Sequence, residues 1–130
     1  TFPDTDFPLF RLGASYLTYA EATLRGAADD SREEALHYLN LLHQRAGGTD
    51  PLTAQDLNLD FLLAERGREL HWEAYRRSDL IRFNVFTTDG IWPWKGGVPA
   101  GMPSSTHLRL FPIPEAELMA NPALRQNGGY

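Results

Sequence analysis

The spacing of apolar and polar side chains predicts two amphipathic helices near the start of the chain. Between Phe7 and Arg25, one face carries Leu9, Leu12, Tyr16, Tyr19 and Thr23, at the three- and four-residue steps that line one side of an α-helix. Gly26 marks the predicted end of this helix. A second helix is predicted to begin at Ser31, where the run SREE fits a capping box, and to end at the run AGG. Its apolar face contains Leu36, Leu39 and either Tyr38 or Leu42.

The short connection between these two helices predicts how they pack. About five residues join them, too few to carry the chain to another part of the fold, so the helices should lie antiparallel. This αα-hairpin resembles one tetratricopeptide-type repeat. A single repeat cannot bury both of its faces, and the sequence contains no second copy at the expected period. Its partner must therefore be the next helix or sequence beyond this chain.

A third and longer helix is predicted from Asn58, a favourable N-cap, to Phe83. From residue 65 it reads ERGRELHWEAYRRSDLIRF, in which ten of nineteen residues are Glu, Asp, Arg or His. At about 100° per residue, Trp72 lies on the charged face, whereas Leu63, Leu70, Ala74 and Ile81 line the opposite, core-facing side together with Gly67. Because Gly67 has no side chain, it is expected to let another helix approach closely.

The acids and bases of this charged run are spaced to pair with one another. Glu65 with Arg68, and Glu69 with Arg76, lie at helical contact range. We interpret Glu65, Arg68, Glu69, Glu73, Arg76 and Asp79 as a structural ion ladder around Trp72, which is predicted to be a core or interhelix residue. Exposed pairs would contribute only about 0.3–0.5 kcal/mol each, whereas removing one partner of a buried pair costs about 3–5 kcal/mol.

After Phe83 the helical pattern ends. Six of the nine prolines and six of the eleven glycines follow it, which predicts a loop-rich tail over residues 84–130. One short helix is predicted at PEAELMA, with Pro114 in its first turn and Asn121 before a proline at its end. No convincing strand is predicted, and the short run HLRLF is the best candidate. The predicted fold class is therefore all-α, within a single segment 1–130: a tetratricopeptide-like hairpin, a long charged helix (helical part 7–83) and an irregular Pro/Gly-rich C-terminal tail.

Composition and charge narrow the classes of partner. The net charge of -5 and the pI near 5.2 argue against a nucleic-acid partner. The absence of cysteine excludes disulfides, zinc ribbons and thiol catalysis, and no apolar run approaches the roughly 20 residues that span a bilayer. The first residues carry neither an initiator Met nor the features of a signal peptide, so we expect that the chain was processed or cut from something longer.

The sequence gives little support for a catalytic site or a metal site. Two carboxylates one helical turn apart suit a glycosidase, but the adjacent arginines favour the ionised form, which a general acid must avoid. His37, His43, His71 and His107 lack the one-turn spacing of a helical metal site, and no HExxH occurs. We therefore expect no enzyme activity, no metal and no cofactor.

Three blocks of sequence, in the right order, match one known family. The charged run follows the pattern ERxRELxxExxRxxDLxR, RLGASYLTYAEATLR with ALHYLNLLHQRAGG matches a helix pair that ends in an Arg-Ala-Gly turn, and FPIPEAELMANPALRQNGGY matches a characteristic ending. Together they resemble the SusD/RagB family of nutrient-binding lipoproteins. That family often has Gly where Ala74 stands, which predicts a slightly straighter helix here, and its common acid in the first helix is replaced near Gly13 or Ala14. Family members are several hundred residues long, so this chain would be the C-terminal portion.

The resemblance implies a surface-exposed protein of the outer membrane that binds glycans or other nutrients. Such proteins are anchored through an N-terminal lipidated Cys, which this sequence lacks, and act as a lid on a TonB-dependent, SusC-like transporter. The family's tetratricopeptide-like pairs form the scaffold and help to contact the transporter. Its ligand pockets are built largely from loops elsewhere.

The run DGIWPWKGG holds the candidate ligand contacts: Trp92 and Trp94, with Asp89 and Lys95 beside them. Sugar rings stack on exposed aromatic faces, and loops often carry binding residues. The alternative, favoured by the irregularity of the tail, is that both tryptophans pack to order it. Two other function classes stay open: a tetratricopeptide-type module that binds a protein or peptide in its helical groove, and a glycoside hydrolase fragment whose turnover would depend on Glu69.

Overall fold

The computed structural model describes residues 9–28 and 31–130, and within them the fold is all-α, as predicted, without a strand. The helices there are α1 (Leu12–Leu24), α2 (Arg32–Arg45), α3 (Leu59–Glu69), α4 (Arg76–Arg82) and α5 (Glu115–Ala120), with short 3-10 helices at Lys95–Gly97 and Thr106–Arg109. The chain divides into two compact units between Asp79 and Leu80. We call them the helical unit and the tail unit and describe each by itself.

Helices α1 and α2 form the predicted antiparallel hairpin. Tyr16 stacks on Tyr38 with ring centroids 4.5 Å apart, and Tyr19, one turn later in α1, donates to Glu34, one turn earlier in α2. This opposite progression along the two helices defines the antiparallel arrangement. The side chain of Ser31 caps α2 by accepting from the backbone N of Glu34, as predicted, but the Glu34 carboxylate binds tyrosine hydroxyls instead of completing the capping box.

Aliphatic side chains from the first three helices form the core of the helical unit. Those buried in it are Leu17 and Ala20 of α1, Ala35, Leu39 and Leu42 of α2, and Leu62 of α3, together with Leu57 and Leu70; a buried Leu contributes about 1.5–3 kcal/mol. The predicted face of α1 is wrong at its start. Leu9 and Leu12 are 71% and 64% exposed, because α1 begins only at Leu12 and its buried side starts with Gly13. Phe7, also assigned to this helix, lies outside the described residues.

Helix α3 begins where it was predicted to begin, but it is much shorter. The side-chain oxygen of Asn58 caps it by accepting from the backbone N of Phe61 at 2.9 Å. The helix ends at Glu69, and the chain passes through a turn before α4 begins at Arg76. The prediction of one continuous helix as far as Phe83 is therefore wrong.

The turn between α3 and α4 contains two residues in the left-handed region, Trp72 with φ 64° and Ala74 with φ 63°. Arg76 lies back along α3 and donates to the backbone O of Leu63 at 2.7 Å. Its guanidinium occupies the space beside Gly67, where a Cβ would lie 2.8 Å from Nη1. Gly67 thus admits an arginine and not the neighbouring helix that was predicted. The φ of Ala74 also shows a break where a straighter helix was expected, at a position where the resembling family often has Gly.

The tail unit is largely irregular, as its prolines and glycines predict. Helix α5 forms at the predicted place, with Pro114 as its N-cap and Asn121 as its C-cap. The strand candidate HLRLF is wrong, because its first residues lie in the 3-10 helix Thr106–Arg109. Leu110 and Phe111, which follow, are 60% and 69% exposed.

Candidate functional site

The predicted ligand loop lies in the tail unit, around the 3-10 helix Lys95–Gly97. Trp92 and Trp94 are 42% and 68% exposed, so neither ring is buried within its unit. Trp94 is in the left-handed region with φ 68° and precedes the 3-10 helix as its N-cap. Asp89 is exposed, and its backbone O accepts from the backbone N of Ile91 at 3.1 Å. Two aromatic surfaces and one carboxylate are therefore accessible on a single short loop.

Lys95, the fourth predicted residue of this loop, is only 7% exposed. Its Nζ donates to the backbone O of Phe86 at 2.8 Å, to that of Thr87 at 3.0 Å, and to that of Gly90. The same Nζ lies 4.5 Å from the centroid of the Trp92 ring, within the range of a cation–π interaction. Because an ammonium group has three N–H donors, these carbonyl groups use its hydrogen-bonding capacity. Lys95 is therefore placed to hold the loop in shape.

Two glycines that the sequence did not single out also shape this loop. A Cβ on Gly90 would lie 1.7 Å from the backbone O of Val85, and one on Gly101 would lie 2.2 Å from the backbone O of Trp92. Gly101 also has a positive φ of 75°, which favours glycine. The loop thus depends on close backbone approach, a feature that the number of glycines in the tail indicated without showing which of them mattered.

Only part of the predicted ion ladder forms. Glu65 pairs with Arg68 at 2.6 Å, as predicted. The predicted pair of Glu69 with Arg76 is wrong, because the helix ends between them and Arg76 donates to a backbone carbonyl of α3.

Glu69 is instead the centre of a charge cluster that includes residues distant in sequence. Its side chain is 5% exposed; Arg11 Nη2 lies 2.8 Å from Glu69 Oε1, and Arg45 Nη2 contacts both carboxylate oxygens. Arg11 also binds Glu73 through Nε at 2.8 Å. Gly13 makes room for this arrangement, since a Cβ there would lie 2.8 Å from Glu69 Oε1. We call Glu69, Arg11, Arg45 and Glu73 the Glu69 cluster.

Asp79, the last member of the predicted ladder, pairs with Arg66. Arg66 Nε lies 3.0 Å from Asp79 Oδ1, and the two side chains are 4% and 1% exposed. Arg66 belongs to the family pattern but was not predicted to be part of the ladder. A buried pair of this kind is costly to break from one side.

Trp72 is not the core residue that was predicted. Its surface is 90% exposed, because the left-handed turn carries it away from the helical path on which the prediction depended. His71 stacks beside it, with ring centroids 5.6 Å apart and planes inclined by 26°.

A tyrosine cluster between α1 and α2 was also missed. Tyr16 stacks on Tyr38, and Tyr19 meets Tyr38 edge-on with centroids 5.2 Å apart. Hydrogen bonds from Tyr38 and Tyr19 lower the pKa of the Glu34 carboxyl group. The bond to Glu34 raises the pKa of Tyr38 to about 12. The signal was present as tyrosines at helical spacing, but their shared carboxylate could be found only from the packing of two helices.

A cavity of about 630 Å³ lies between α2 and α3 in the helical unit. Its cationic side chains, Arg45 and Arg68, are paired with Glu69 and Glu65, which also line it. Within residues 9–28 and 31–130, no three His, Asp or Glu side chains are grouped as metal ligands. None of the helices in these ranges is long and apolar enough to cross a membrane.

Residues 2–130 match the SusD family. The chain is 40% identical over 131 residues to Starch-binding protein SusD of Bacteroides thetaiotaomicron, an alignment that covers 100% of this chain and 22% of that protein. It also superposes, with a TM-score of 0.74 and 31% identity, on the crystal structure of a SusD superfamily protein from Bacteroides vulgatus, covering 93% of this chain and 27% of that one. The chain therefore spans between a fifth and a third of the length of these relatives. Because the family match includes the hairpin, the charged run and the final residues, the chain belongs to the SusD family.

Proposed function

We propose that this chain is the C-terminal, non-catalytic portion of a surface glycan-binding protein of the outer membrane. Its membership of the SusD family supports this proposal, as does its 40% identity to a protein named for starch binding. In this proposal residues 1–130 are one segment of a longer protein, held at the membrane by a lipid anchor outside this sequence. The longer protein delivers its ligand to a TonB-dependent, SusC-like transporter.

The observation that carries the proposal is the exposed pair Trp92 and Trp94 on a loop held by buried Lys95. The faces of a Trp ring carry partial negative charge, and they attract the weakly positive C–H groups of a sugar ring. The exposed carboxylate of Asp89 can accept hydrogen bonds from sugar hydroxyl groups. Lys95 acts as a positioning residue, because its N–H groups are used by backbone carbonyls.

The fixed shape of the loop supports binding as well as stability. Carbonyl groups from three residues converge on the Lys95 ammonium, and the backbone N of Met102 donates to the backbone O of Lys95 at 3.0 Å. A loop that is already ordered loses less conformational entropy when a ligand binds. The rings of Trp92 and Trp94 are therefore already in position, before binding, to contact a flat ligand surface.

Calorimetric titration with a linear α-glucan oligosaccharide such as maltoheptaose tests this proposal. Trp92→Ala and Trp94→Ala should each weaken binding about tenfold, which corresponds to about 1.4 kcal/mol, at the upper end for one aromatic contact. Phe111→Ala, which removes another exposed ring of the tail unit, serves as the control and should leave the affinity unchanged. Unaltered affinity in both Trp variants would contradict the assignment of this loop.

A second candidate function, a protein-interaction module, is supported by a groove beside α1. This groove has a volume of about 460 Å³ and is lined by Phe10, Thr18 and Tyr75, among others; Phe10 is 93% exposed. A peptide could lie in such a groove, as in other helical-repeat proteins. Failure of the chain to bind any member of a panel of α- and β-linked glycans would favour this candidate over the first.

A further inference from the structure

The turn between α3 and α4 places the exposed Trp72 beside a cavity of about 480 Å³. The lining includes Leu70 and Ala74 as well as His71, Arg76 and Arg77. Small-molecule sites typically have volumes of about 300–1,000 Å³, so this cavity has a suitable size. Its described lining residues all belong to the helical unit.

The charge of this cavity is opposite to that of the chain. Among the residues that the structure describes, two arginines line it and no carboxylate does, although the net charge of the protein is -5. The larger cavity between α2 and α3 differs, since Glu65 and Glu69 line it together with its arginines. An anionic ligand group is therefore favoured beside Trp72.

The backbone of the turn is strained. Trp72 and Ala74 both have φ near +60°, which costs a residue with a side chain about 1–2 kcal/mol. Such strain persists where the surrounding structure imposes it, and it is concentrated at ligand-binding sites. Here the strain places a large apolar ring in solvent.

Two neighbours of Trp72 are held in place without a ligand. The ring of His71 stacks on one side of it. The guanidinium of Arg76 is fixed by its bond to the Leu63 carbonyl at 2.7 Å, which uses one of its five N–H donors. An exposed aromatic face and an oriented guanidinium are thus prepared on one turn.

We propose that this cavity, the Trp72 site, binds a saccharide that carries a carboxylate, such as a uronic acid residue. The sugar ring stacks on Trp72, and its carboxylate accepts hydrogen bonds from Arg76, because a guanidinium matches the geometry of a carboxylate. The choice of a saccharide over other anions rests on the proposed glycan-binding function. The cationic lining and the exposed ring are independent of it.

The test uses the full chain with Trp92→Phe and Trp94→Phe, in which Trp72 is the remaining member of three tryptophans. Titration with trigalacturonic acid should produce a saturable change in Trp72 fluorescence, and added salt should weaken the binding. Maltotriose, a neutral saccharide of equal length, should bind at least tenfold more weakly. Equal affinity for the two saccharides would overturn the proposal.

Two variants and one control assign the site. Arg76→Gln should weaken trigalacturonic acid binding at least tenfold, and so should Trp72→Asn, measured by calorimetry, because Asn tolerates the left-handed conformation better than most residues. Arg125→Gln, which removes an exposed charge from the tail unit, should leave the affinity unchanged. Circular dichroism identifies any unfolded variant; if Arg76→Gln unfolds, Trp72→Asn decides.

Other outcomes separate this proposal from the one above. Unchanged affinity in folded Trp72→Asn would place the ligand elsewhere, and inorganic phosphate competing as well as the saccharide would reduce the site to an anion site. Maltoheptaose binding that depends on Trp92, together with no response of Trp72 to trigalacturonic acid, would leave the first proposal intact and reject this one. The reverse pattern would reject the Trp92 loop and support the Trp72 site.

Discussion

The helical unit and the tail unit each contain a buried ion with several partners, but the partners differ in kind. In the helical unit, the side chain of Glu69 is 5% exposed and is neutralised by Arg11 and Arg45. In the tail unit, Lys95 is 7% exposed and is bound by backbone carbonyls, among them that of Thr87. The charge of Glu69 is balanced by the opposite charge of arginines, whereas the charge of Lys95 is stabilised by the dipoles of backbone carbonyl groups.

This difference determines what each ion does for its surroundings. The Glu69 cluster joins segments that are far apart in sequence, since Arg11 precedes α1 and Arg45 ends α2. Lys95 gathers carbonyl groups from a short stretch of chain between Phe86 and Gly90. The first ion therefore fixes the packing of helices, whereas the second fixes the shape of one loop.

The largest expected effect is on the Glu69 cluster. Glu69→Gln should lower the free energy of unfolding by about 3 kcal/mol, the lower end for a broken buried pair, because Arg45 remains 57% exposed and is partly solvated. Urea denaturation measures the change. Glu33→Gln, which neutralises an exposed carboxylate on α2, should stay within about 0.5 kcal/mol of the wild type. Equally small losses in both variants would mean that Glu69 acts as an ordinary surface charge.

The second effect tests the loop. Lys95→Met should cost about 2 kcal/mol, because it leaves carbonyl groups without their charged donor, and the loss should be confined to the tail unit. Amide hydrogen exchange should therefore quicken around the backbone of residues 86–102 but not in α1. Arg125→Met is the control for removing a cation. If protection from hydrogen exchange fell equally in both units, Lys95 would not act on its own loop alone, and its contrast with Glu69 would be lost.

A third and smaller effect concerns the turn that follows Glu69. Ala74→Gly should raise the free energy of unfolding by up to about 1 kcal/mol, because glycine adopts φ 63° without strain. Ala74→Val should lower it by about 1 kcal/mol or more, since β-branched residues tolerate this region poorly. Thermal denaturation of the two variants checks the order. A loss of stability in Ala74→Gly would show that the positive φ of Ala74 does not destabilise the folded state.

The smallest effect comes from Glu34, an exposed counterpart to the buried Glu69. Its pKa lies below the ordinary 4.5 because Tyr38 and Tyr19 donate to it. This contribution to stability is complete above pH 4.5 and is lost as the pH falls through the lowered value. The difference in melting temperature between wild type and Tyr38→Phe should therefore shrink at acid pH. The control is Tyr75→Phe, because the Tyr75 hydroxyl donates to the neutral Leu9 carbonyl. Its difference in melting temperature from the wild type should not change with pH. If both variants responded to acid pH in the same way, the pH dependence could not be assigned to Glu34.

The raised pKa of Tyr38 determines how the hydrogen bond between Tyr38 and Glu34 contributes to stability at alkaline pH. Because that pKa rises from 10.0 to about 12, the neutral phenol is favoured in the folded state. Its contribution is complete below pH 10.0 and is lost as the pH approaches about 12.

Local signals in the sequence predicted most of the fold. Ser31, Asn58 and Pro114 each begin a helix at the predicted place, because a cap depends on residues within one turn. The break after Glu69 left no such signal. The turn that follows contains neither proline nor glycine. Its side-chain support includes Arg76, which folds back onto α3, and Arg11, which binds Glu73.

The candidate sites were predictable in part for a related reason. Exposed aromatic residues such as Trp92 and Trp94 are visible in the sequence of a loop. The role of Lys95 is not, because its partners are carbonyl groups that every residue carries. The exposure of Trp72 was missed because it follows from the helix break, and the part of Arg11 in the Glu69 cluster was missed because its partner lies 58 residues away.

The burial of Lys95 has a practical consequence, since it is the chain's single lysine. An amine-reactive reagent can modify a lysine side chain in this protein only when the loop that carries Trp92 opens. The rate at which one added mass accumulates at residue 95 would therefore report how often this loop opens. A ligand that closes over the loop would slow that labelling, which makes Lys95 a built-in covalent reporter of occupancy.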